Sequence, residues 1–97
     1  MITTKQRANL RSMANDMPAL YQLGKNGITD EFLAQINEAL NANELIKISI
    51  LKSAFYSSKE VMNMLCDSLS CHPVSAIGSK VVIYRQSADE KKRKIVL

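Results

Sequence analysis

The sequence predicts an α/β two-layer sandwich with elements in the order α-β-α-β-α-β-β. Three observations lead there. Apolar residues recur at helical spacing in three separate segments. Residues 45–51 alternate, with Ile46, Ile48 and Ile50 on one side and Lys47 and Ser49 on the other, as a half-buried strand does. Finally, Gly78-Ser79 separates two β-rich runs in the manner of a hairpin turn.

The first helix is expected over residues 4–17, because Leu10, Met13, Ala14 and Met17 fall on one stripe and Pro18 ends it. Residues 19–23 then read as a strand running into Gly24. Thr29 is a natural N-cap for a second helix, with Asp30 and Glu31 favoured by the helix dipole and Ile28 placed to staple onto Leu33. Leu33, Ile36 and Leu40 form its inner face, and Asn43 stops it. Ser57 and Glu60 have the spacing of a capping box that opens a third helix, carried by Val61, Leu65 and Leu69 with Met62 and Cys66, and ending near Cys71. Residues 74–77 and 80–85 complete the strands. From Gln86 the chain reads as a mobile basic tail, so residues 1–86 are expected as one domain and 87–97 as an appendage. Two parallel crossovers should both be right-handed, and if both progress in one direction their helices share a face of the sheet. The opposite face is then expected to meet water.

A chain of 97 residues with 46% apolar content builds one core without staples. Basic residues outnumber acidic ones, 13 to 9, for a net charge of +4. Their placement is uneven. Residues 1–28 carry Lys5, Arg7, Arg11 and Lys25 against Asp16 alone, while residues 29–46 are acidic through Asp30, Glu31, Glu38 and Glu44. A local positive field of this kind steers a polyanion. Arg7 and Arg11, one helical turn apart, can face the same partner.

The turn Gly24-Lys25-Asn26-Gly27 lies between a strand and a helix start. There, free backbone N–H groups and the helix dipole attract an anion, glycines let a phosphate-sugar backbone come close, and Lys25 adds a cation. Other chemistry is thin. No GxxxxGK[ST] or GxGxxG run is present, and adjacent Cys71 and His72 point apart on an extended chain with no third orienting group. Cys66, Cys71 and His72 make three crowded candidate ligands where a zinc site wants four, so no metal, no cofactor and no enzyme activity are expected. A thiol-based redox role would need a cysteine of lowered pKa. The aromatics are few: Tyr21, Phe32, Phe55, Tyr56 and Tyr84. Recognition by backbone and shape through Lys and Arg therefore suits the composition better than base reading.

Taken together, Thr4-Lys5-Gln6-Arg7, Leu10-Arg11, the run from Gln22 to Thr29, Glu44-Leu45-Ile46-Lys47, Ile77-Gly78 and Val82-Ile83-Tyr84-Arg85 closely resemble the bacterial YhbY-type CRM domain. The resemblance spans nearly the whole chain. It implies a fold similar to the C-terminal domain of bacterial translation initiation factor three, with a four-stranded mixed sheet. It also implies RNA binding, since bacterial members associate with precursors of the large ribosomal subunit. Gly24, Lys25, Asn26 and Gly27 match the family's GxxG loop, its expected RNA contact. Lys5, Arg7 and Arg11 are the supporting residues, and Lys47, Lys80 and Arg85 extend the basic surface. A KH domain carries its loop between two helices, whereas a strand precedes this one. Two features depart from the family: Ser79 stands where a basic residue often follows the hairpin glycine, and Phe55 and Tyr56 occupy a segment expected to be charged.

The expected partner is thus RNA, in particular ribosomal precursor RNA, with ribosomal proteins as further partners. The chain is expected to act as a cytoplasmic monomer without a membrane segment. An adaptor docking on ribosomal proteins through Phe55 and Tyr56 is the alternative.

Overall fold

Side-chain caps start all three helices. In the computed structural model, which describes residues 2–96, α1 spans Thr4–Ala14, α2 Asp30–Asn43 and α3 Ser58–Leu69. Thr3 and Gln6 form a capping box at α1, Thr29 Oγ1 accepts from the Phe32 N–H at 3.1 Å, and Ser57 and Glu60 form the expected box at α3. Each cap satisfies backbone donors that the first helical turn leaves unpaired. Strands β1 (Tyr21–Leu23), β2 (Leu45–Ile50), β3 (His72–Ile77) and β4 (Lys80–Tyr84) form one sheet in the order β1-β2-β4-β3. The β1–β2 pair is parallel, and the other two pairs are antiparallel.

Both crossovers move the same way across this sheet, so α2 and α3 pack on one face. Their core holds Leu23, Phe32, Ile36, Leu40, Ile46, Ile48, Ile50, Val61, Leu65, Val81 and Ile83. Ile28 and Leu33 both pack against it, as the staple requires. Each fully buried side chain of this kind contributes roughly 1.5–3 kcal/mol.

The second face, expected to be open, is partly covered by α1. Leu10 and Ala14 sit on Leu45, Val74, Val82 and Tyr84 and form a smaller core. The reason is the parity of β2 and β4: Leu45, Val82 and Tyr84 alternate with the residues of the first core and present a second apolar surface. α1 stops at Ala14, earlier than residue 17, and Met13 lies 49% exposed. Met17 still reaches the second core because a turn closes from its N–H to the Ala14 carbonyl. β3 begins at His72 and so includes Pro73, which is compatible with an edge strand, and the register shifts between Pro73 and Ser75.

The segment after Gln86 corrects the expectation of a mobile tail. It is docked on Glu44, the C-cap of α2, a non-glycine residue with φ +67°. The Glu44 side chain is fully buried and accepts from the backbone N–H groups of Ser87 (2.8 Å), Lys94 (2.6 Å) and Ile95 (3.1 Å). Ser87 Oγ donates to the Asn41 carbonyl, a short 3-10 turn covers Glu90–Lys92, and Ile95 packs on the second core. A carboxylate was needed here, and its placement required a backbone conformation that ordinarily favours glycine. Leu97, the last of the three apolar tail residues, lies outside the described region.

Burial pushes the Glu44 carboxyl up, but the three backbone donors and Arg93 outweigh that and leave its pKa below the ordinary 4.5. A depressed carboxyl pKa stabilises the fold above the unfolded value, and that contribution is lost as pH falls through the folded one. As pH falls below 4.5 and on through the lower folded value, the Ser87, Lys94 and Ile95 amides should therefore lose protection from hydrogen exchange. Glu44→Ala should remove it at neutral pH. Deleting residues 87–97 should lower Tm by at least about 4 °C, since one kcal/mol already moves a domain of this size that far.

Candidate functional site

Because α2 and α3 are crossover helices of the same sense, both begin at the end of the sheet where β1 and β2 finish. The turn Gly24-Lys25-Asn26-Gly27 lies there, directly before α2. The Gly27 N–H donates to the Gly24 carbonyl at 3.1 Å and closes the turn, with Gly27 at φ +70°. Lys25 and Asn26 stand exposed at its tip. A cleft of about 520 Å³ opens beside it, lined by the turn together with Thr29, Glu31, Gln35, Leu51 and Ser53. Glu31 is the one acid on this wall and opposes an anion on its own side.

Residues 51–56, between β2 and α3, brace the turn. The Leu51 N–H donates to the Leu23 carbonyl at 2.9 Å, and Leu51 Cδ1 lies 3.8 Å from where a Gly24 Cβ would stand. The Tyr56 ring lies 3.1 Å from the corresponding Gly27 position. A side chain at Gly27 would meet both that ring and the left-handed backbone.

A second cationic site lies on the α1 face of the same end. Arg11 from α1, Lys47 from β2 and Lys80 from β4 line a groove of about 190 Å³ with Asn15, Ser75 and Ile77. Lys47 Nζ donates to the Met17 carbonyl (2.9 Å) and Lys80 Nζ to Ser49 Oγ (2.8 Å). These bonds fix both ammonium groups without neutralising them. No carboxylate lines the groove among the described residues. The register places Lys80 beside Ser49, one residue short of the Ile50 that pairs with Leu23, so loop and groove open near one another.

Over residues 2–85 the chain matches the CRS1 / YhbY (CRM) domain. It belongs to the CRM family. Among its relatives is YqeI of Bacillus subtilis, named a probable RNA-binding protein, which is 37% identical over 91 residues, covering 94% of this chain and 95% of YqeI. A Haemophilus influenzae protein named RNA-binding protein is 32% identical over 90 residues, covering 93% of this chain and 91% of its own. The solution structure of the hypothetical protein SAV1595 from Staphylococcus aureus superposes with a TM-score of 0.79 at 36% identity, covering 99% of this chain and all of SAV1595. The α+β fold with its four-stranded mixed sheet is therefore that of a CRM domain.

Two of the basic residues expected at the CRM site do not join it. Arg85 lies at the far end of β4, on the α2–α3 face: its guanidinium donates to the carbonyls of Leu69 (2.8 Å) and Asn37 (3.2 Å) and to Asn41 Oδ1 (3.1 Å). It ties the ends of α2 and α3 to the sheet, because residue 85 shares the parity of the core residues Val81 and Ile83. Lys5 is exposed, but it stands two residues from Arg7 and so leaves the helix on nearly the opposite side. Arg7 stands one turn before Arg11 on the same side of α1. What the sequence did not reveal was the bracing by Leu51 and Tyr56, since contacts between loops leave no periodic signal.

The cysteine sulfurs lie 3.5 Å apart between the end of α3 and β3. Their hydrogen bond, helped by the nearby Arg85 charge, draws the Cys71 pKa down against the effect of burial, while the same bond and burial push Cys66 up. Among the described residues no three His, Cys, Asp or Glu side chains gather for a metal, and no helix is long and apolar enough to cross a membrane.

Arg85→Ala leaves part-buried carbonyls without donors and should cost about 1–3 kcal/mol in urea unfolding. Arg11→Ala, at an exposed position, should stay within about 0.5 kcal/mol of the parent.

Proposed function

We propose that this CRM domain binds RNA and acts in the cytoplasm as an assembly factor of the large ribosomal subunit, holding precursor ribosomal RNA by its phosphates. The observation that carries the reading is the convergence of Arg11, Lys47 and Lys80 on a groove with no lining carboxylate, at the same end of the sheet as the exposed Lys25 turn. Isolated like charges brought together without counter-ions are a site for a polyanion. Relatives over nearly the full chain are named for RNA binding, and this supports the same partner here. The assembly role follows from the family resemblance.

In this reading one phosphate lies against the Gly24–Gly27 turn, where the glycines bring the backbone within reach and Lys25 supplies the charge. A neighbouring stretch of backbone crosses the groove, where Arg11 can hold a phosphate with two parallel N–H bonds. Tyr84 and Phe32 are buried in the cores and do not read bases. Affinity is then mainly electrostatic, and no catalytic step is assigned.

With about four phosphates neutralised, log affinity against log salt should fall with a slope of roughly −3. Lys25→Glu should lower affinity about 5- to 150-fold, the equivalent of 1–3 kcal/mol for a charge-assisted contact. Lys92→Glu, exposed on the 3-10 turn at the Glu44 end of α2, makes the same change in net charge away from the turn. Equal losses from the two would remove any special role for the turn, and a salt-independent affinity would remove the electrostatic mechanism. For the assembly role, crosslinking in cells should recover large-subunit precursor RNA, and nuclease treatment should release the protein from these particles. An adaptor held by ribosomal proteins would stay bound.

A further inference from the structure

We infer that Phe55 is a stacking platform for an unpaired base of the RNA whose phosphate lies at the Gly24–Gly27 turn. This rests on the RNA-binding reading above and adds base contact to a site otherwise built for phosphate. Four of the five aromatics are accounted for by packing. Phe32 and Tyr84 are buried, Tyr21 packs against the larger core, and Tyr56 lies on Gly27. Phe55 alone is free, at 93% exposure.

Its placement is what gives that exposure meaning. Residues 51–56 are fastened to the turn at both ends, Leu51 over Gly24 and Tyr56 over Gly27, and a further turn closes from the Ala54 N–H to the Leu51 carbonyl at 3.0 Å. Phe55 therefore projects from a short, pinned segment beside the phosphate cleft, to which the same segment contributes Leu51 and Ser53. A ring held on a fixed backbone loses little further freedom when a flat partner settles on it. Every base has a π-face, so such contact needs no particular sequence.

Charge favours RNA over a protein as occupant. The exposed residues around Phe55 in the chain are Lys52, Ser53 and Ser57 together with Leu51 and Tyr56, whose side chains are turned onto the glycine turn, and Lys25 lines the same cleft as Leu51 and Ser53. A hydrophobic protein anchor would be ringed by apolar surface that excludes water. A base joined to phosphates suits instead an aromatic side chain near cationic charge, which Lys52 in the same segment and Lys25 in the adjoining cleft supply.

The test uses the full chain with two RNAs of equal length, a single-stranded oligoadenylate and a fully paired duplex. Phe55→Ala and Phe55→Leu should each weaken the single strand about 5- to 150-fold, the range for one base stacked on an aromatic, and leave the duplex unchanged. Phe55→Tyr should bind the single strand as the parent does. The chain has no tryptophan, so Phe55→Trp provides a single reporter, and its fluorescence should be quenched by oligoadenylate. Parent-like single-strand affinity of Phe55→Ala or Phe55→Leu, or an equal loss on the duplex, would overturn stacking while leaving phosphate binding in place. Failure of the parent to bind either RNA would overturn both readings. Phe55 makes no core contact, so circular dichroism of every variant should match the parent.

Discussion

Nearly everything at the site depends on the handedness and common direction of the two crossovers. A parallel strand pair joined through a helix closes in one sense, and here both connections step the same way across the sheet. The starts of α2 and α3, the Gly24–Gly27 turn and residues 51–56 are consequently delivered to one end. No single motif placed them there. Had α3 crossed back, Tyr56 would not lie over Gly27, and the turn would have lost the side chain that covers its left-handed residue.

The other face follows from strand parity. Alternation along β2 and β4 sends isoleucines and valines to α2 and α3 and leaves Leu45, Val82 and Tyr84 behind, enough to seat α1 but not to fill the face. Where the apolar residues run out, Lys47 and Lys80 occupy the next positions. The groove is thus the boundary of the second core, with Arg11 contributed by the helix that core retains. At the other end the Glu44 carboxylate collects three backbone amides and folds the last residues back over α2.

Much of this was legible beforehand, because helix caps, strand alternation and the glycine turn are local. Thr29, Ser57 and Glu60 act as their spacing implies, and Ile46, Ile48 and Ile50 face the core as the period of two requires. What escaped were contacts between segments distant in sequence. Glu44 read as one more acidic residue because its amide partners lie more than forty residues away, and Arg85 read as surface charge because the carbonyls it binds belong to other elements. Of the basic residues proposed, Lys25, Arg11, Lys47 and Lys80 gather near one end of the sheet, whereas Arg85 serves the fold.

The sheet is open at both edges, and open edges invite other chains to add strands. Here each edge is a poor template. β1 offers three residues, too few to hold a partner strand in register. β3 is longer, but Pro73 lacks a donor and the irregularity between Pro73 and Ser75 breaks the even spacing that a docking strand would need. Neither edge thus offers an even ladder on which the sheets of neighbouring copies could join into a fibre.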